Sequence, residues 1–317
     1  MRRIAAMLVL PLLAAGVLAG CGSSTASTAA SPTVAVSGAF GQAPVIKIPA
    51  AKPTSKLSVR TVIKGTGPVL HRTDAFVGNY AIYVWSGTAH RLAQSSFTTA
   101  THPGNPTLFS GHLLPGLETA LVGQKMGSRV VAVIPPKEGF GTTGNAQVGI
   151  KGTDTLVFVV DLIDDFAGNA SATGTPVSTG GKGLPTVTAV TGSAPTIKMP
   201  SSKPPTKLVT KTLVQGTGPA VAKGQTVVVQ YVGAIWATGK VFDASWNRSQ
   251  PFGFAIDSTP SQVIPGWDLG LTGQKVGSRV MLVIPPADGY GKGGNAQAGI
   301  KGTDTLVFVV DILGAFN

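Results

Sequence analysis

Residue types able to do chemistry are sparse in this chain of 317 residues. It holds one cysteine, Cys21, so no internal disulfide is available to it. Its four histidines, His71, His90, His102 and His112, have neither cysteine neighbours nor the close His-x-x-His spacing of a metal site. No metal and no cofactor is therefore expected, and exposed loop histidines are. The segments "GTG" and "GKGG" lack the spacing of a phosphate-binding loop and are turns. The concentrated feature is an acid among aromatics, in "VVVQYVGAIWATGKVFDASWNRSQPFGF" from Val227, within a chain that is only 6% aromatic. A carboxylate beside apolar side chains stays charged only with partners. Arg248 is either such a partner for Asp243 or a solvated surface arginine. Taken alone, the aromatics also suit a plain β-rich core.

The elements that must position these residues come from a duplication. "KGTDTLVFVVD" stands at residues 151–161 and again, unchanged, at 301–311. "APVIKIPAAKPTSKLSVRTVIKGTGPVL" from Ala43 is answered by "APTIKMPSSKPPTKLVTKTLVQGTGPAV" from Ala194, so two similar domains are expected. "TVVVQYVGAIW", "SRVMLVIPP" and "TLVFVVDIL" are β-branched runs bounded by Gly and Pro, of strand length. The helical candidate is "IPGWDLGLTGQ", with Pro265 suited to a first helical position and Gly273 near the stop. The expected class is α+β, an antiparallel sheet with one short helix in each copy.

In the second copy the aromatic segment, "VIPGWDLGL", "IPPADGYG" and "TLVFVVDIL" follow one another in an order that resembles the FKBP-type peptidyl-prolyl cis-trans isomerase family, over about residues 207–317. The resemblance implies a curved antiparallel sheet wrapped around a short helix, with an apolar pocket for a proline ring. Carried over position by position, it implies a site of Asp243, Tyr290, Trp267 and Ile264, with Tyr231, Phe242, Arg248, Phe252, Val263, Ile300 and Phe308 around the substrate. Trp267 would be the floor, Asp243 would face the twisting amide, and the Ile264 N–H and Tyr290 hydroxyl would hold substrate carbonyls. Proline-containing polypeptides and macrolide inhibitors are the implied ligands. One departure stands in "GKGGNAQAGIKGTDT", where Lys301 and Gly302 replace the paired prolines common in the family, leaving Ile300 as the bulky apolar residue there.

The first copy keeps Tyr80, "LLPG" and Phe158, but has Leu117 in place of Trp267 and Phe140 in place of Tyr290. Its segment "HRLAQSSFTTATHPGNPTLF" contains no aspartate. Scaffold without site is the expectation for that copy.

The start, "MRRIAAMLVLPLLAAGVLAGCGSS", reads as an export signal: two arginines, an apolar run too short for a bilayer and interrupted by Pro11, then small residues. "LAGC" resembles a lipoprotein lipobox, which implies lipid on Cys21 and an extracytoplasmic, membrane-anchored protein; an ordinary secretory signal with an incidental cysteine is the alternative. The expected layout is a signal at 1–20, a flexible tether at 21–42, a degenerate FKBP-like domain at 43–165, a Gly/Ser/Thr-rich linker at 166–193 and an isomerase domain at 194–317. The net charge of +12 is scattered without a Lys/Arg run, and two charges leave with the signal, so no nucleic-acid partner is expected. The function expected is isomerisation of Xaa-Pro bonds in exported proteins through the second copy. A non-catalytic peptide-binding chaperone or interaction module of the envelope is the alternative.

Overall fold

The computed structural model describes residues 32–97 and 106–317. The first repeat runs β1 (Ala35–Ser37), β2 (Val45–Lys47), β3 (Ser58–Ile63), β4 (Ala75–Ser86), β5 (Ala89–Ser95), β6 (Thr107–Phe109), α1 (Pro115–Leu121), β7 (Arg129–Ile134) and β8 (Thr155–Phe166). The second runs β9 (Thr175–Pro176), β10 (Thr186–Thr188), β11 (Thr196–Lys198), β12 (Val209–Gln215), β13 (Thr226–Ile235), β14 (Val241–Ala244), β15 (Phe252–Ala255), α2 (Pro265–Leu271), β16 (Arg279–Ile284) and β17 (Leu306–Phe316). Each repeat builds an antiparallel sheet, in the orders β3-β7-β8-β4-β5 and β14-β13-β17-β16-β12-β9, with β6 on β4 and β15 on β13. The repeated "KGTDTLVFVVD" supplies the central strands β8 and β17, buried on both faces as a continuous apolar run requires.

One face of each sheet holds the helix. Pro265 opens α2, where its missing N–H costs nothing, and the helix ends before Gly273, whose φ of +82° favours glycine. Its buried side is Gly266, Trp267, Gly270 and Leu271. The two glycines let it lie close: a Cβ on Gly270 would stand 2.5 Å from a Leu282 methyl, and one on Gly266 2.6 Å from an Ile284 methyl. Trp267 and Leu271 thus join Tyr231, Phe254, Phe308 and Ile312 in one core.

The opposite face is covered too, by segments the composition marks as tether and linker. Residues 32–42, expected to be flexible, carry β1, which pairs with β2, and Val34 and Ile48 bury against Trp85, Val131 and Val159. Residues 166–193, expected to be a linker, carry β9, paired with β12, and β10, paired with β11, and Val187 buries against Trp236, Met281 and Val309. Glycine and serine content hid the few alternating valines, whose burial needs a tryptophan-bearing sheet face supplied from far along the chain. The indole N–H of Trp85 donates to the Ala51 carbonyl at 2.9 Å and that of Trp236 to the Ser202 carbonyl at 3.2 Å, fixing the segments that follow β2 and β11, the partners of β1 and β10.

Beneath each arm lies a buried ion pair. Arg129 grips Asp161 through Nε and Nη2 at 2.6 and 2.7 Å, and its guanidinium also donates to the carbonyls of Gly38 and Gln42. The Gly41 N–H completes the shell of Asp161 at 2.8 Å. Arg279 holds Asp311 in the same way at 2.5 and 2.6 Å, with Ala172 N–H donating to that carboxylate. A buried charge pair is tolerable when its remaining donors and acceptors are satisfied, and the arms supply them.

Candidate active site

Tyr231 projects from the middle of β13, Phe242 and Asp243 from the adjacent β14, and Phe252 from β15 on the other half of β13. Trp267 rises from α2 and Phe308 from β17. These converge on a cavity of about 400 Å³, lined also by Ser261, Gln262, Val263, Ile264, Pro265 and Tyr290. Trp267 lies beneath it, with ring centroids 5.2 Å from Tyr231 and 5.2 Å from Phe308, both edge-on, and 5.4 Å from Phe254. Such T-shaped contacts suit the aromatic quadrupole and fix each ring against its neighbours. The Trp267 indole nitrogen is buried with no hydrogen-bond partner among the described residues. Gly233 makes room for this wall: a Cβ there would stand 2.7 Å from both the Phe242 and Phe308 rings.

At the rim, Asp243 accepts from the Tyr231 hydroxyl and, at 2.6 Å, from Arg248, whose second nitrogen donates to the Tyr231 oxygen at 3.0 Å. Burial disfavours the Asp243 charge, but the hydrogen bonds from Tyr231 and Arg248 outweigh it and hold the carboxyl below its ordinary range. Burial and the bond to Asp243 push the Tyr231 phenol up to about 12. The site therefore presents one carboxylate, fixed and charged at neutral pH, beside an aromatic cup. Arg248, left open between partner and surface arginine, pairs with Asp243.

Sequence reasoning missed Ser261 and Gln262, polar loop residues whose types carry no signal. Their loop is tied down by Asp268, which accepts from the Asp257 N–H at 2.8 Å and the Ser261 hydroxyl at 2.7 Å. Ile300 does not line the cavity: it pairs with Asn295 through two backbone hydrogen bonds of 2.8 and 2.9 Å and is buried in the core. The turn from Gly294, with φ of +63°, draws it inward. His71 and His112 are exposed, but His90 lies exposed on strand β5 rather than in a loop, and His102 and Cys21 fall outside the described residues.

The model of the FKBP-type peptidyl-prolyl cis-trans isomerases matches residues 78–163 and 218–313, together more than half of the chain. The chain belongs to this family, with its domain in tandem, and to its enzyme class. An FK506-binding protein of Streptomyces anulatus is 44% identical over 119 residues, 38% of this chain and 94% of that protein. A probable FK506-binding protein of Corynebacterium glutamicum is 38% identical over 121 residues, 38% and 98% of the two chains. The FKBP-type peptidyl-prolyl cis-trans isomerase FkpA of Escherichia coli is 44% identical over 108 residues, 34% and 37%.

Strand register settles how the two FKBP domains correspond where sequence alignment slips. Asp243 pairs with Gly233, and Gln94 with Ile82, so Gln94 stands in the aspartate's place and Ala93 in that of Phe242. Ser96 accepts the Tyr80 N–H at 2.9 Å, as Ser245 accepts that of Tyr231 at 2.8 Å, in keeping with this register. Thr107 takes the place of Phe252. Ile82 stands where Gly233 opens the second pocket, and Leu117 and Phe140 pack into the first core. The first FKBP domain has thus lost the carboxylate, the indole, the phenol and three of the features that shape the cup.

Proposed function

We propose that the second repeat isomerises Xaa-Pro bonds of exported proteins, and that the chain is held to the outer face of the cytoplasmic membrane by lipid on Cys21. The observation that carries the catalytic part is the aromatic cavity with a charged Asp243 fixed at its rim. Rotation about the bond is opposed by amide resonance, a barrier of about 18–20 kcal/mol, and unaided X-Pro exchange takes tens to hundreds of seconds. The proline ring enters the cup over Trp267. A dry surrounding disfavours the charge-separated planar amide, and contacts that fit the twisted form better than the planar one lower the barrier. About 5.5 kcal/mol of such preference corresponds to a ten-thousandfold acceleration. The Ile264 N–H binds the carbonyl before the proline, Tyr290 binds a neighbouring one, and Asp243 acts on the twisting amide through its field.

The first repeat is a scaffold domain with little or no turnover. Each domain includes its arm, so the domains span about 32–166 and 170–317 rather than beginning at 43 and 194. A coupled isomerisation assay on Xaa-Pro peptides tests this with the two fragments separately: activity is expected in 170–317 and not in 32–166. Equal turnover by both would show that Asp243, Trp267 and Tyr290 are not the residues that matter. The second reading, a peptide-binding module without turnover, is favoured by the first repeat's altered site, and binding without catalysis by 170–317 would establish it.

A further inference from the structure

The two repeats meet along β15, whose Phe252 lines the pocket, and beside the turn that carries Arg248. Leu108 on β6 lies against Gly253 on β15, where a Cβ would stand 2.7 Å from that of Leu108. Gly253 sits between Phe252 and Phe254, which point to the opposite face of the strand and contact Tyr231 and Trp267. The Thr226 hydroxyl donates to the Pro106 carbonyl at 2.8 Å, and Val77, Phe166 and Val228 bury together beside it. Just beyond β8, Gly168 approaches the turn that ends at Arg248: a Cβ on it would stand 2.3 Å from the Ser249 carbonyl oxygen.

A chain of hydrogen bonds leads from this contact to the site. The Gly168 carbonyl accepts from Gln230 Nε2 at 2.8 Å. Gln230 Oε1 accepts from the Ser245 hydroxyl, and Ser245 Oγ accepts the Tyr231 N–H at 2.8 Å. Gln230 and Ser245 are wholly buried, so an unpaired end of that amide would be costly, and Gly168 fixes which way it points. In the first repeat Asn79 stands in the place of Gln230 and accepts from Ser96 at 3.1 Å. The extra methylene of Gln230 carries its nitrogen out to the connector that leaves β8.

We infer that the first repeat is the positioning domain of the second repeat's pocket. Docked through Leu108, and with Gly168 in the connector that leaves its last strand, it holds β15 and the turn Ser245–Arg248 in place. Through Gln230 and Ser245 it sets the Tyr231–Asp243–Arg248 network. Leu108, Gly168 and Gln230 do not line the cavity and act through residues that do. This rests on the cavity being the isomerase site, and it gives a repeat without site chemistry a role in catalysis.

The test uses the full chain carrying Leu108→Asp, Leu108→Ala or Gly168→Ala, with KM and kcat on an Xaa-Pro peptide and amide hydrogen exchange over residues 245–255. Expected is a fall in kcat/KM of about threefold to tenfold, carried by KM, with faster exchange over 245–255 and unchanged exchange in β16 and β17. Leu108→Ala should give the same pattern more weakly, and it and Gly168→Ala decide the matter if Leu108→Asp unfolds the chain. Unchanged kinetics in the folded variants would overturn the inference, as would a loss of activity with exchange over 245–255 unmoved. An inactive wild type would instead overturn the isomerase assignment, while the exchange pattern would still decide whether docking orders the turn.

Discussion

Replacing Trp267 by leucine, the residue the first repeat carries at this place, isolates the floor of the cup. The side chain is 4% exposed and meets four rings, those of Tyr231, Phe252, Phe254 and Phe308, at 5.2 to 6.2 Å. The change removes roughly 60 Å³ of side chain, which at about 24 cal/mol per Å³ of residual cavity corresponds to about 1.5 kcal/mol. Lost edge contacts, about 0.5–1.5 kcal/mol each and not additive, bring the expected destabilisation to about 2–3 kcal/mol. The same surface is what a proline ring would rest on. If the twisted amide feels a similar loss, kcat/KM falls about 30- to 150-fold. Coupled isomerisation kinetics at a temperature where circular dichroism shows both proteins folded would measure this, with urea unfolding alongside. A Trp267→Leu protein that isomerises peptides within about twofold of wild type would refute the assignment of the floor.

Tyr290→Phe, again a residue the first repeat already carries, should lower kcat/KM about tenfold by removing one hydrogen bond to substrate, without moving the urea midpoint. With Asp243 held below its ordinary range and Tyr231 raised to about 12, activity should be flat from about pH 5 to 9. The contribution of Asp243 to stability is complete above its unfolded value and is lost as pH falls through the lowered folded one; that of Tyr231 is complete below its unfolded value and is lost as pH rises through about 12. A step in the pH–rate profile near neutrality would contradict this. Arg279→Met should cost about 3–5 kcal/mol in urea unfolding, because it strands Asp311 as an unpaired charge beneath the arm. Cys21→Ser should shift the protein from membrane to medium on fractionation, and identical distributions would remove the lipid anchor.

Sequence alone determined what local chemistry can express. Strands β13, β16 and β17 announce themselves as β-branched runs, α2 by its proline and flanking glycine, and the duplication by identity. The aromatic residues of the cup were legible because their order along the chain is that of the family; their types alone would equally suit a β-rich core. Tertiary structure decided what depends on distant partners. The arms at 32–42 and 166–193 look flexible because the two valines of the first and the three of the second cannot fold by themselves; they become strands only when the faces bearing Trp85 and Trp236 are there to cover, and when Arg129–Asp161 and Arg279–Asp311 need their backbone groups. The places of Gln94 and Thr107 came from ladder pairing, which sequence cannot count through a shifted register. Ile300 turned inward because backbone bonds to Asn295, rather than its own apolarity, choose its direction. The contact of Gly168 with Gln230 joins residues 62 apart, and nothing in either neighbourhood foretells it, since an amide chooses its partner only after the sheets have docked.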